Sequence, residues 1–388
     1  MAIVQISRIQ HRRGKADSGT GLPQLASGEL GWAIDRQKLY IGNGSVSEGA
    51  PFVGNTEILT AGTDIFALAD QYKYKPLNSL WNGEVPFARD LQSKLDDVVS
   101  VFDFGATGDG VTDDTAAINR ALYQIYCRQT NTQIRRSLFF PAGTYLVTGT
   151  ILVPPFAQLY GEGANSSIIS FQVNNWVTLT PYAAGVMVYY TVSGDYYRSK
   201  SVVPAEDPAS PGSPIAPTNT TYWEEQVLPE YVVQTSDSLQ QTGASIGTNG
   251  AVPPQNIGIV NMAIKTANQG NGTTVLHNVC LVDRTSQMNF EQVNFQGPFT
   301  TANGDTETEE LACVHFNSSP SLPCTQVNFD GCKFSGATYG IITDNVIKGC
   351  TVSCGYFDTL FQGIMLDTDP KTGKDKYILG EINASCVG

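Results

Sequence analysis

Residues 288–297, MNFEQVNFQG, and residues 327–336, VNFDGCKFSG, share one arrangement of apolar positions, and that arrangement decides the fold. Each places apolar side chains at i, i+2, i+5 and i+7: Met288, Phe290, Val293 and Phe295 in one, Val327, Phe329, Cys332 and Phe334 in the other. Ile257, Ile259, Met262 and Ile264 repeat the pattern upstream, and Ile347, Cys350 and Val352 carry its last three positions downstream. The copies stand 31, 39 and 18 residues apart. A strand sends alternate side chains to one face, so the extra residue between i+2 and i+5 is a bend that starts a second strand facing the same interior. Coils of this kind stack into a parallel β-helix, in which each unit buries its apolar side only against its neighbours. Irregular spacing fits, because loops leave from the corners without disturbing the stack.

The composition supports this reading. The chain has 388 residues, a prior of two to three domains, and 38 of them are glycine while only 15% are charged. Such a mix suits many short strands and turns rather than helices. At 41% apolar and 10% aromatic residues, a sizeable core is available and wholesale disorder is excluded. The formal net charge of −13 argues against a nucleic-acid partner and against an anionic membrane surface. There is no run of 18 apolar residues, so membrane insertion is not expected, and the opening MAIVQISRIQHRRGK lacks the apolar run of a signal peptide. Seven of the eight cysteines follow position 279, with no CxxC pair; buried free thiols are the expectation rather than a disulfide framework or a zinc site.

Residues 1–57 read as a small β module. Trp32 and Ile34, then Leu39 and Ile41, flank Asp35-Arg36-Gln37 as a hairpin with one buried face. Arg8, Arg12, Arg13 and Lys15 precede any acid, which is either a solvated edge strand or a basic docking surface for an acidic partner. Residues 58–98 form a connector. From 99 to 388 the β-helix is expected, with a capping helix over about 113–127: Asp113 or Asp114 caps its start, and Ile118, Ala121, Leu122 and Ile125 form one apolar stripe. Residues 184–255, with eight of the 20 prolines, read as a long, partly extended insertion from one corner. Subtracting it leaves about eight coils, or a rod ~40 Å long at ~4.8 Å per coil.

Two stretches resemble known families. ISRIQHRRGKADSGTGLPQLASGELGWAIDRQKLYIGNGSVSEGAPFVGNTEIL, through Gly28-Glu29-Leu30-Gly31, Asp35, Lys38-Leu39-Tyr40-Ile41-Gly42 and Gly44, looks like the N-terminal module of the major tropism determinant found on phage tail and receptor-binding proteins. VFDFGATGDGVTDDTAAINRAL and LFFPAGTYLVTGTILVPPFAQLYGEG resemble the pectate-lyase-superfamily right-handed parallel β-helix of tail spikes and polysaccharide-active enzymes. The resemblance implies a virion protein of a phage tail, neck or baseplate, made in the host cytoplasm and released by lysis. It also implies a homotrimer with residues 1–57 attached to other tail, neck or baseplate proteins and the β-helix displayed toward host surface polysaccharide.

The candidate chemistry is sparse. Asp103, Asp109, Asp113 and Asp114 read as structural rather than as a calcium or catalytic site, and Gly105–Gly110 lacks the Lys-Ser/Thr of a phosphate loop. Glu291 and Asp330 occupy one position of two aligned repeats, so adjacent coils would set their carboxyls ~5 Å apart, a separation suited to retaining glycoside hydrolysis. They lie at the bend, where a solvated acid is ordinary, and the third aligned residue is Lys348, which suggests a surface ladder. The NTDG and RIK signatures of polygalacturonase-type enzymes are absent. Asp367-Thr-Asp369 has Thr372 where a calcium loop needs glycine, and His277 and His315 lack metal-ligand spacing; no cofactor or metal is expected. Tyr189, Tyr190, Tyr196 and Tyr197 are candidates for stacking on sugar rings. The leading expectation is a structural or adhesion component of a phage tail. A polysaccharide depolymerase, glycosidase or lyase, is the alternative, and a passive lectin-like binder a third.

Overall fold

Phe290 and Phe329 lie one above the other with ring centroids 4.9 Å apart and planes within 5°, and Phe295, Phe334 and Phe357 form a second column at 5.3 and 4.6 Å. These columns are the stacked interior that the repeated pattern demands. The computed structural model describes residues 12–15, 24–50, 53–58, 72–73, 88–89, 95, 97–127, 137–237, 253–266, 278–298, 311–318, 322–343, 347–353, 355–358, 362–366 and 378–379. It divides into two compact units, Met1–Leu95 and Asp96–Gly388.

In the first unit, β1 (Arg12–Gly14), β2 (Leu30–Ala33), β3 (Lys38–Gly42) and β4 (Asn55–Ile58) form one sheet in that order, with β1 parallel to β2 and the rest antiparallel. β5 (Tyr72–Lys73) and β6 (Ala88–Arg89) make a separate antiparallel pair. The expected hairpin is present, but its buried face is the opposite one. Leu25, Ala33 and Tyr40 form the small core, while Trp32 and Ile34 are 36% and 52% exposed. Leu25, from outside the hairpin, sets the choice: a side chain at Gly31 would begin 2.9 Å from its Cδ1, so the glycine face closes on it and the bulkier residues turn outward. Gly42 is equally constrained, since a Cβ there would lie 2.1 Å from the Ala26 carbonyl oxygen.

The second unit is a parallel β-helix of three sheets. It opens with β7 (Val99–Ser100) and β8 (Asp109–Asp113), followed by α1 (Thr115–Leu122) and a wider π turn at Tyr123–Cys127. One coil then contains β9 (Leu138–Phe140), β10 (Gly143–Val147) and β11 (Ile151–Val153). The next contains β12 (Gln158–Gly161) and β13 (Ser167–Phe171), then an excursion carrying β14 (Asn174–Asn175), β15 (Met187–Tyr190), β16 (Asp195–Ser199) and β17 (Trp223–Gln226), and closes with β18 (Tyr231–Thr235). Regular coils follow: β19 (Gln255–Val260), β20 (Ala263–Thr266), β21 (Asn278–Asp283); β22 (Ser286–Glu291), β23 (Asn294–Gln296), β24 (Ala312–Asn317); β25 (Cys324–Asp330), β26 (Lys333–Ser335), β27 (Tyr339–Thr343). The last described strands are β28 (Ile347–Ser353), β29 (Tyr356–Asp358), β30 (Gln362–Leu366) and β31 (Ile378–Leu379). The first sheet stacks β7, β9, β12, β19, β22, β25, β28 and β31, the second runs β8 to β29, and the third runs β11 to β30. The bend between the first and second strands is a single residue in the left-handed region, Asn261, Gln292 or Gly331. Among the described residues, no helix is long and apolar enough to cross a membrane.

α1 covers the end of the stack with Ala117, Ile118, Ala121 and Leu122, and Ile125 and Tyr126 continue its buried stripe. Its acids divide the work. Asp113 caps the helix, its Oδ1 accepting from the Thr115 backbone N–H at 3.0 Å while its Oδ2 accepts from the Thr148 hydroxyl. Asp114, fully buried, turns away from the helix and accepts from the backbone N–H groups of Thr107 and Gly108 at 2.8 and 3.0 Å. The glycine-rich loop therefore cradles a carboxylate of its own chain. Burial raises the Asp114 pKa, and these bonds oppose the rise. Asp109, exposed, is held down to about 2 by the Thr112 and Val111 amides. Asp103 accepts from Ser100 N–H at 2.9 Å.

Three further expectations are corrected. The fourth repeat is out of the register given above. Val327 pairs with Cys350, Phe329 with Val352 and Asp330 with Ser353, whereas Lys348 lies opposite Thr325. Gly355 takes the place opposite Cys332, so the apolar pattern breaks at that position and Ile347, Cys350 and Val352 mimic it in an earlier register; a Cβ at Gly355 would meet Val352 Cγ1 at 3.0 Å. The insertion is displaced too: the chain leaves the stack after Phe171 and returns at Tyr231, whose strand is part of the third sheet. The excursion is folded rather than extended, with its own core of Val188, Tyr197, Val203, Ile215 and Trp223. Each coil also has a third strand that the two-strand pattern did not reveal. The cysteines described, Cys127, Cys280, Cys313, Cys324, Cys332 and Cys350, are free, and all but Cys127 are buried. Arg8, His277, Cys354, Asp367, Asp369 and Cys386 lie outside the described residues.

Candidate functional site

Glu291 and Asp330 are paired in register on β22 and β25, so their carboxyls do sit on adjacent coils. Both side chains are exposed at the outer end of their strands, and Asp330 Oδ1 accepts from Ser353 Oγ at 3.1 Å. Asn289 and Asn328 lie beside them with Nδ2 to Oδ1 at 2.9 Å. The arrangement is a solvated polar ladder.

The four tyrosines fall on the antiparallel pair β15–β16, where Val188 faces Tyr197, Tyr189 faces Tyr196 and Tyr190 faces Asp195. Tyr197 is buried in the core of the excursion and Tyr189 is buried against the solenoid core, so neither offers a ring to a sugar. Tyr190 and Tyr196 remain half-buried, Tyr190 edge-on to Trp176 at 5.3 Å and Tyr196 against Tyr189 at 4.9 Å. Burial, and then Tyr189, pushes the Tyr196 hydroxyl up to about 12. Arg198 on the same pair donates to the Gly185 carbonyl at 2.9 Å and reaches the Thr148 hydroxyl at 3.5 Å, tying the excursion to the cap.

An enclosed polar constellation was not singled out from the sequence. It lies where the third sheet turns into the first sheet of the following coil. β18 ends in Thr235 and continues through Ser236 and Asp237; β21 ends in Asp283, followed by Arg284 and Thr285; β24 ends in Asn317, followed by Ser318. Asp237 and Asp283 are 4% and 3% exposed. The Arg284 guanidinium donates to Asp283 through Nε at 3.1 Å and NH2 at 2.7 Å, and Asn317 Nδ2 donates to Asp283 Oδ1 at 3.0 Å. The hydrogen bonds that Arg284 donates to Asp283 raise the Arg284 pKa, with the charges of Asp283 and Asp237 adding to the rise against the effect of burial. Thr235 and Thr285 hydroxyls share a 2.8 Å bond, and Thr235 Oγ1 accepts from Asp283 N–H. Three successive coils thus bring two buried carboxylates, one guanidinium and one amide to a single corner. Following only two strands per coil hides it, because these residues close the third; the signal available was a Ser, Thr, Asp or Asn cluster directly after each apolar run.

In the first unit, Arg12 and Arg13 on β1, the edge of the described sheet, and Lys15 directly after it are exposed. With Gly14, Leu25, Gly31 and Trp32 they line a cavity of about 250 Å³. Arg12 approaches Glu29 at 3.4 Å, a surface pair worth little in water.

Comparison with known proteins adds two family matches. Residues 98–353 match the model described as rhamnogalacturonase A/epimerase, pectate lyase-like, and residues 9–46 match the major tropism determinant N-terminal domain. A protein of Arthroderma benhamiae described as a probable glucan endo-1,3-beta-glucosidase is 34% identical over 107 residues, 26% of this chain and 12% of that protein. A glucan 1,3-beta-glucosidase of Cochliobolus carbonum is 48% identical over 58 residues, 15% of this chain and 7% of that one. The chain therefore spans about an eighth or less of these relatives. Tailspike protein 3 of bacteriophage CBA120 is similar in structure with a TM-score of 0.41 at 15% identity, over 88% of this chain and 48% of that one.

Proposed function

We propose a function from one premise: the chain belongs to the rhamnogalacturonase A/epimerase, pectate lyase-like family. It is a tail component of a bacteriophage that attaches to the particle through residues 1–57 and engages a host surface polysaccharide along its β-helix. One observation carries this reading: the module matching the major tropism determinant N-terminal domain stands on the same chain as the pectate-lyase-like solenoid. The exposed cations Arg12 and Arg13 of β1 and Lys15 just after it (and Arg8, which lies outside the described residues) supply attachment. The solenoid supplies recognition, in the manner of a family built on sugar polymers. Its working form is a homotrimer, made in the host cytoplasm and carried on the tail.

The test is binding of the full chain to immobilised cell-surface polysaccharides of candidate hosts, with the molar mass measured by light scattering. Retention on one polysaccharide by a species of three chains is the expected result. A monomer that binds no surface glycan would refute the proposal.

The corner of Asp237, Asp283, Arg284 and Asn317 favours a second reading, in which the bound glycan is also cleaved, as the names of the glucan glucosidases suggest. In this reading the Arg284–Asp283 pair would hold the sugar, and Asp237, buried at the same corner, would be the acid tested. New reducing ends with the natural chain, and none with Asp237→Asn, would establish this activity; equal product from both would assign cleavage elsewhere.

A further inference from the structure

The open edge of β1 has a charge and shape that specify its partner more closely than attachment alone. Among the described residues, β1 ends its sheet, so one row of its backbone N–H and C=O groups is free to pair with another chain. Arg13 shares a face with its register partner Trp32, and Lys15 follows directly after the end of β1 and lines the same cavity. Neither cation has a partner among the described residues, and Glu29, which approaches Arg12, accepts from the Ala26 N–H through its Oε2 at 2.8 Å. The opposite face holds Gly14 above Leu25 and Gly31. A Cβ at Gly14 would meet nothing within 4 Å, so the missing side chain opens the cavity there. At about 250 Å³ the cavity is smaller than the ~300–1,000 Å³ of sites that enclose a whole small molecule, and it suits one apolar side chain.

We infer that β1 receives an extended segment of a tail protein with the order acidic, apolar, acidic. The segment adds as a further strand. Its two carboxylates, on one face and two residues apart, meet Arg13 and Lys15, and the apolar side chain between them enters the cavity over Gly14. The inference rests on the attachment part of the proposed function and names the chemistry of the attached partner.

The test uses the full chain and a fluorescein-labelled peptide, Thr-Val-Glu-Leu-Glu-Val, read by fluorescence anisotropy. Binding at low salt is expected, weakening by about tenfold or more when both glutamates become glutamine, when the protein carries Arg13→Glu with Lys15→Glu, or when ionic strength rises to a few hundred millimolar. Gly14→Val should weaken binding comparably while thermal stability holds, because the new side chain occupies only the cavity. No binding by the natural chain, equal binding by the charge-reversed variant, or equal binding by Gly14→Val would overturn the inference. Full displacement by a peptide of residues 1–11 would overturn it as well, assigning the edge to this chain's own N-terminal segment. Polysaccharide binding and incorporation into particles, measured on the same charge-reversed variant, separate the two proposals. Incorporation undiminished by the variant defeats this inference alone, and a natural chain absent from particles defeats the attachment reading even if the peptide binds.

Discussion

Replacing Phe329 by alanine should be among the most damaging single changes in the solenoid. Its ring is fully buried, stacks on Phe290 at 4.9 Å, and meets Phe295, Phe316 and Phe334 edge-on at 6.4, 6.2 and 5.6 Å. A buried Phe→Ala change costs about 3–5 kcal/mol through lost transfer energy and the cavity left behind. The lost aromatic pairings, about 0.5–1.5 kcal/mol each where the geometry is good, are contained in that range and favour its upper part. The neighbouring coils are fixed by strands on both sides and collapse little, so the loss belongs at the upper end, about 5 kcal/mol. Phe329→Leu, which nearly conserves volume, should cost under about 2 kcal/mol. Urea unfolding followed by far-ultraviolet circular dichroism gives the total. Amide hydrogen exchange should show faster opening in β22, β23, β25 and β26 and little change in β9 and β10, because a stacked array couples mainly nearest neighbours. A loss under about 1 kcal/mol, or an effect spread evenly over the array, would refute the claim that the aromatic columns hold the coils together.

Other consequences concern the cap and the thiols. Asp114→Ala leaves the Thr107 and Gly108 N–H groups without their acceptor and should cost about 2–4 kcal/mol, with exchange at those two amides accelerating first. The Asp109 carboxyl sits at about 2, below its ordinary 3.8, so its contribution is complete above about pH 4 and is lost as pH falls toward 2; Asp109→Asn should flatten thermal stability across that window, as measured by melting point against pH. Burial lifts the thiols of Cys313, Cys324 and Cys350 to about 12 and that of Cys332 to about 11. Iodoacetamide at pH 8 should leave these four unmodified in the native protein and alkylate them in urea, as read by peptide mass spectrometry.

The β-helix was legible because two of its three sheets keep strict alternation. Met288, Phe290, Val293 and Phe295 all point inward, and Asn289 and Glu291 point to solvent. The third sheet lacks that contrast. Tyr231, Leu281, Ala312, Tyr339 and Ile342, which are not part of the first two strands' pattern, are all below a tenth exposed, so strands such as NVCLVD read as undivided apolar runs. Asp283 and Asn317 end such strands, and missing the strands meant missing the corner. In the N-terminal module the hairpin was legible and its inner face was not. Residue size favoured Trp32 and Ile34, whereas the packing partner Leu25 comes from outside the hairpin and fits only against Gly31 and Ala33. The acids of DGVTDDT were read as structural, and Asp109, Asp113 and Asp114 each accept backbone or hydroxyl hydrogen bonds close by in sequence. Their division of labour depended on contacts with Thr148 and the glycine-rich loop that lie far apart in sequence or on the other side of a turn.

The association of a particle-attachment module with a glycan-engaging solenoid is tested most directly by locating the protein on virions. Antibody raised against residues 97–237 and coupled to gold should decorate the tails of intact particles in electron micrographs, and excess soluble protein should reduce adsorption of those particles to host cells. Gold absent from the particles, together with adsorption unaffected by the soluble protein, would contradict the account.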